Sequence, residues 1–170
     1  MQSIVRRATA ARLPLHKASH SVVYNFNLTA ARRASPNFVP TRNMSLSFVS
    51  TPDAPPAVGP YAQAVKAGNL LFVSGSLGID PAIGKLVDGG LEAQTKQALK
   101  NLKTIIEAGG ATIDKVAKTT VFLADMNDFA AMNAIYAEFF GDHKPSRSTV
   151  QVARLPLDGR FEIECIVSLA

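Results

Sequence analysis

The chain has 170 residues, 47% of them hydrophobic, which suffices for one domain with a closed core and excludes a disordered chain. A single cysteine excludes an intramolecular disulfide framework or a cysteine-rich zinc site, and three histidines, two of them near the N-terminus, give no support to a histidine metal cluster. The formal charge of +5 misleads: residues 1–52 hold seven basic residues and no acid, which leaves 11 basic against 13 acidic residues over 53–170 and argues against nucleic acid as a partner.

Residues 1–45 are rich in Arg, Ser and Ala. That is the composition of an organelle transit peptide, not of a secretory signal with its compact apolar core. The prominence of arginine favours the mitochondrial matrix over the plastid; a disordered basic tail is the alternative. Met44, in RNMSLSF, stands just ahead of the first β-prone run, and a start there would give a leaderless cytosolic form. No apolar run approaches the roughly 20 residues a spanning helix needs, so no membrane partner is expected.

The folded domain is expected over 46–170. LSFVS opens it as a short β-prone run. TPDAPPAVGP follows, with four prolines in ten residues, and must be an extended or turning loop. YAQAVKAGNLLFVSG reads as a hairpin turning at Ala67-Gly68-Asn69. SLGIDPAIGKLVDGG is loop chemistry. From Leu91 to Ala108 the apolar positions Leu91, Thr95, Ala98, Leu102, Ile105 and Ile106 recur at helical spacing, and Gly109-Gly110 ends the run. VAKTTVFLAD (116–125) is β-branched and nearly continuous, as a central strand is. A second helix fits 127–140, with Phe129, Met132, Ile135, Tyr136 and Phe139 on one face. STVQVARL, PLDGR and FEIECIVSL read as strand, turn and strand. The order is β-β-loop-α-β-α-β-β, a two-layer α+β domain.

The last strand has a period of two: Phe161, Ile163, Cys165, Val167 and Leu169 share one face, and Glu162, Glu164, Ile166 and Ser168 the other. Two helices cover only one face of the sheet, so a partner subunit is expected on the other.

Sequence signatures of the P-loop, dinucleotide, zincin and serine-hydrolase types are missing. His143 is the one histidine of the expected domain, and a catalytic triad would have to use it. Cys165 reads as a buried small hydrophobe. Asp80-Pro81-Ala82-Ile83-Gly84 lacks the repeated carboxylates of a cation loop and reads as a turn. Arg147 opens a strand in KPSRSTVQVARL. A guanidinium there is a fixed fork of donors for the carboxylate of a small organic acid, or else one half of a salt bridge to Glu162 or Glu164.

The segments APPAVGPYAQAV, LLFVSG, EAGGA, VAKTTVFLADMNDF, NAIYAEFF and PSRSTVQVARLPLDGRFEIE follow one another in an order that resembles the YjgF/RidA family, the reactive-intermediate imine deaminases, over about residues 47–170. The resemblance implies a chorismate-mutase-like (YjgF-like) fold, with a mixed sheet carrying two helices on one face, assembled as a homotrimer with clefts between subunits. It implies hydrolysis of 2-iminoacids, or their enamine tautomers, to 2-ketoacids and ammonia without cofactor or metal, protecting pyridoxal-phosphate enzymes. Carried over residue by residue, it puts Arg147 on the substrate carboxylate and Glu162 near the attacking water. Tyr61, Ser74, Gly75, Asn127 and Thr149 fall at pocket-lining positions. Thr149 stands where many members have Cys, Lys144 where the residue is often aromatic, and Phe161 where an aliphatic residue usually precedes the glutamate. With the clamp at Arg147, Glu162 is expected on the adjacent strand, facing the same cleft. Two other functions fit the resemblance: a non-catalytic trimer that binds small carboxylic acids, and RNA-directed inhibition of translation.

Overall fold

The computed structural model describes residues 45–170; the leader and the alternative start at Met44 lie outside them. Strand β1 (Leu46–Val49) pairs antiparallel with β2 (Ala64–Ala67), which pairs with β3 (Leu70–Leu77) across the turn at Gly68, whose φ of 61° a side chain would resist. A two-residue ribbon, β4 (Ile79–Asp80) and β5 (Lys85–Leu86), follows where the sequence reads as loop. The Asp80 carboxylate accepts from the Ala82 amide at 2.8 Å, and the Gly84 amide donates to the Asp80 carbonyl at 2.8 Å, so turn chemistry closes a hairpin too short for a period-two signal.

Helix α1 (Gly90–Ala108) lies within one residue of its expected span. Strand β6 (Val116–Leu123) leads through a short 3-10 turn, Met126–Asp128, into helix α2 (Phe129–Phe140). Strands β7 (Ser146–Gln151) and β8 (Phe161–Ser168) complete the chain. The main sheet has the order β1-β2-β3-β8-β6-β7, antiparallel except for the parallel pair β6–β7. It is thus mixed, with two helical crossovers: α2 joins the neighbouring parallel strands β6 and β7, and α1 joins β3 to β6, which run parallel with β8 between them.

Both helices pack on one face. Phe161, Ile163, Cys165 and Val167 from β8 meet Leu71 and Val73 from β3 and Val121 and Leu123 from β6 there, all buried. Leu99, Leu102 and Ile106 of α1 and Met132 and Phe140 of α2 close the layer. Phe129, expected among the apolar face of α2, is 38% exposed, whereas Phe140 is buried. Among the described residues, no layer covers the opposite face. Across it run Phe48, Val65, Phe72, Ile166, Lys118 and Ser146, in register from strand to strand. Phe48 is 75% exposed and Phe72 42%. No helix among the described residues is long and apolar enough to cross a membrane.

Candidate active site

Glu162 lies at the start of β8, on the uncovered side of the sheet. Opposite it, β3 outruns β2, whose pairing stops at Val73. Val73 pairs with Cys165 and Ser76 with Ile163, so Ser74 and Gly75 together face Glu164. This is a β-bulge, one extra residue that bends the strand and re-aims its side chains. The Ser74 hydroxyl donates to the Ala62 carbonyl at 2.7 Å and its amide to the Gln63 carbonyl at 3.0 Å, which fixes the bulge to the preceding loop.

Gln63 holds that loop in turn. Its buried amide group donates to the carbonyls of Thr51 and Pro55 at 3.1 and 2.8 Å and accepts from the Thr51 amide at 2.7 Å. The proline-rich segment thereby becomes a wall, with Tyr61 beside it. Tyr61, Ser74, Gly75, Leu157, Glu162 and Glu164 border a cleft of about 740 Å³.

The carboxylate of Glu162 lies directly over Gly75, so close that any Cβ at position 75 would collide with it. A side chain at position 75 would therefore displace the Glu162 carboxylate, although the backbone conformation there does not call for glycine. Burial first, and the neighbouring Glu164 carboxylate second, push the Glu162 pKa above the ordinary carboxylate value. Such a group can accept and return a proton closer to neutrality than a solvated carboxylate.

Arg147 is elsewhere. In register it pairs with Thr119 of β6, which pairs with Cys165 of β8. Thr119 and Cys165 are buried under the helices, so Arg147 projects on the helix side. Its guanidinium carbon lies 4.4 Å from the centre of the Tyr136 ring and 5.7 Å from that of Phe129. Its terminal nitrogen donates to the Asn133 side-chain oxygen at 2.8 Å, and the Tyr136 hydroxyl shares a buried 2.8 Å hydrogen bond with Thr119. Among the described residues Arg147 forms no ion pair. A half-buried guanidinium stacked on aromatics, with only a neutral acceptor, is left able to take an anion.

The expectation that Glu162 sits on the adjacent strand, in the same cleft as Arg147, is corrected. Strand β6 lies between β7 and β8, and within one chain the two side chains point to opposite faces of the sheet. The salt bridge from Arg147 to Glu162 or Glu164 fails for the same reason. Thr149 falls on the Arg147 side, and its hydroxyl is buried without a hydrogen-bond partner. Asn127 lies in the turn before α2, its amide accepted by the Asp125 carboxylate at 2.9 Å. Tyr61, Ser74, Gly75 and Glu162 are therefore brought together, while Arg147 and Thr149 form a second group with Asn133 and Tyr136. Cys165 is buried, and burial pushes its thiol up to about 12, as an inert core residue requires.

Asn133 and Tyr136 were not singled out by the sequence as site residues. Their signal was present: Phe129, Asn133 and Tyr136 are spaced i, i+4, i+7, so a polar residue interrupts an aromatic helical stripe.

The described residues thus form a two-layer α+β domain with a half-buried carboxylate over a bulge on one sheet face and, on the reverse face, an arginine without an ion-pair partner. Comparison with known proteins shows the family to which this fold belongs. The model of the family described as endoribonuclease L-PSP matches residues 51–169. A mouse 2-iminobutanoate/2-iminopropanoate deaminase is 50% identical over 118 residues, covering 69% of this chain and 87% of that protein. The chloroplastic Reactive Intermediate Deaminase A of Arabidopsis thaliana is 50% identical over 131 residues, 77% of this chain and 70% of that one. Among solved structures, Escherichia coli TdcF with bound serine superposes with a TM-score of 0.70 at 40% identity, covering 73% of this chain and 99% of TdcF. The chain belongs to the endoribonuclease L-PSP family, also called YjgF/RidA.

Proposed function

We propose that this protein hydrolyses 2-iminoacids and their enamine tautomers, such as 2-aminoacrylate and 2-iminobutanoate, to 2-ketoacids and ammonia. The observation that carries the reading is the Glu162 carboxylate, raised in pKa and seated over Gly75 in a walled cleft. The names of the mouse and Arabidopsis relatives support it.

The chemistry follows from the residues. Arg147 binds the substrate carboxylate through its free donors and so fixes the imine carbon. Water adds to the carbon of the protonated imine while Glu162 takes one of its protons, which leaves a neutral aminol. Glu162 returns that proton to the amino nitrogen, and the carbon–nitrogen bond breaks with its electron pair going to the departing ammonia. The hydroxyl proton of the resulting protonated ketone passes to the ammonia, which leaves as ammonium, and the 2-ketoacid remains. Tyr61 and Ser74 line the cleft beside the reacting carbon, while Thr149 belongs to the carboxylate side.

Since Arg147 and Glu162 point to opposite faces of one sheet, a site that uses both takes them from two chains. We infer a homotrimer of chorismate-mutase-like form, with the open sheet faces turned inward and three sites between subunits. The exposed Phe48 and Phe72 support such an association. Residues 1–45 would direct the chain to the mitochondrial matrix, and a product starting at Met44 would remain in the cytosol.

A binding-only role is the second reading, favoured by the serine bound to TdcF, an amino acid without a C=N bond to hydrolyse. RNA cleavage fits less well, because Glu162 and Glu164 make the cleft acidic against a phosphodiester backbone.

The test is coupled ketoacid release. A threonine dehydratase generates 2-iminobutanoate, and 2-oxobutanoate formation is followed with and without the protein. Acceleration is expected, falling about 100-fold in Arg147→Ala because the imine carbon loses its fixed position. A folded parent protein that gives no acceleration but binds 2-oxobutanoate would shift the reading to the binding role.

A further inference from the structure

The loop before β8 carries a feature that imine hydrolysis by Arg147 and Glu162 leaves unexplained. Leu157 has φ 58° and ψ 20°, and Asp158 has φ 58°: two successive non-glycine residues in the left-handed region. Leucine is disfavoured there by its Cβ. Leu157 is also 64% exposed, so the chain places a large apolar side chain in water on a strained backbone. Strain of this kind persists only where the surroundings hold it, and it clusters at functional sites.

The surroundings here do hold it. Arg154 grips the Asp158 carboxylate with two hydrogen bonds, at 2.6 and 2.8 Å. The amides of Asp158 and Gly159 donate to the carbonyls of Leu155 and Pro156 at 3.2 and 3.1 Å. Leu155 is buried and anchors the near end, while the Arg160 amide donates to the side-chain oxygen of buried Gln94 at 2.8 Å and anchors the far end. Between these anchors Leu157 borders the cleft that contains Glu162, together with the apolar residues Val58, Leu77, Ile79, Ile105 and Pro156.

The geometry points to Leu157 as a specificity-determining residue: held out over the cleft by the strained 154–158 loop, it completes an apolar subsite for the alkyl side chain of a 2-imino or 2-oxo acid. This rests on the deaminase reading for its substrate, though not for its binding chemistry. It makes the site a receiver of products from reactions on amino acids with branched or extended alkyl side chains, and not only of the smallest imines.

The experiment compares the full-length parent chain with Leu157→Gly and Leu157→Asn. Glycine and asparagine both accept the left-handed conformation, so the loop keeps its path while the apolar group is lost. Imine hydrolysis is measured for methyl, ethyl and isobutyl side chains, and calorimetry gives the affinities of the matching 2-oxo acids. The parent is expected to favour isobutyl over methyl in affinity. In both variants that preference falls about tenfold while the values for the methyl compounds stay within about twofold. A purely structural role would lower all three compounds by one factor and would overturn the proposal. So would a parent protein that binds the isobutyl acid no better than the methyl one. A parent that hydrolyses none of the imines, yet shows the Leu157-dependent preference among the oxo acids, would overturn the deaminase reading and leave the subsite standing.

Discussion

Glu162 is held at a cost. Burial and the Glu164 charge disfavour its ionised form in the folded state, so its folded pKa lies above that of the unfolded chain. For an acid shifted in this direction, folding loses stability as pH rises from the ordinary carboxylate range through the raised value. Glu162→Gln should therefore melt above the parent at neutral pH while losing about 100-fold of the acceleration, with binding of 2-oxo acids retained. Glu164→Gln removes the second cause of the shift. The acid limb of the rate profile should then move to lower pH; an unmoved limb would mean that Glu162 is not the titrating group. Arg147 stands out in the sequence as a guanidinium opening a strand, while Glu162 enters as a site residue through the family resemblance. Asn133 is visible in the sequence as a polar break in the aromatic stripe of α2, but its partner is not, because the Arg147 side chain reaches it from another element.

At the scale of elements, the bulge of β3 decides where Glu162 sits. Ser74 and Gly75 read as ordinary strand residues in LLFVSG, and nothing local says that the two of them oppose one residue of β8. Gly75 has no positive φ, so alanine there meets no backbone strain and acts only on the carboxylate lying over it. Gly75→Ala is expected to lower kcat about 100-fold through displacement of Glu162, with the melting temperature within about two degrees of the parent. A variant that melted early but hydrolysed normally would show that the close approach serves packing alone. The helices were legible because their apolar period is intrinsic: α1 begins at Gly90 against an expected Leu91. The β4–β5 ribbon was not, since two residues per strand carry no period.

At the scale of the whole molecule, one chain keeps Arg147 and Glu162 apart on opposite faces of its sheet. If sites form between subunits, then Arg147→Ala and Glu162→Gln inactivate different halves of each site. Unfolding the two variants together and refolding them should restore about a quarter of parental activity, since random mixing gives one site in four both intact residues. Variants that stay inactive when mixed, in oligomers shown to contain both chains, would place Arg147 and Glu162 in one subunit's site or remove one of them from catalysis.

The sequence alone determined the two-layer α+β class, the two helices and the buried face of the last strand. These follow from short-range periodicity, which needs no knowledge of neighbours. Only the tertiary structure decided that β6 separates β7 from β8, that Arg147 and Glu162 lie on opposite faces, and that the bulge at Gly75 and the loop at Leu157 shape one cleft. Strand order and register are fixed by contacts between residues distant in sequence, and no local pattern records which distant strand becomes the neighbour.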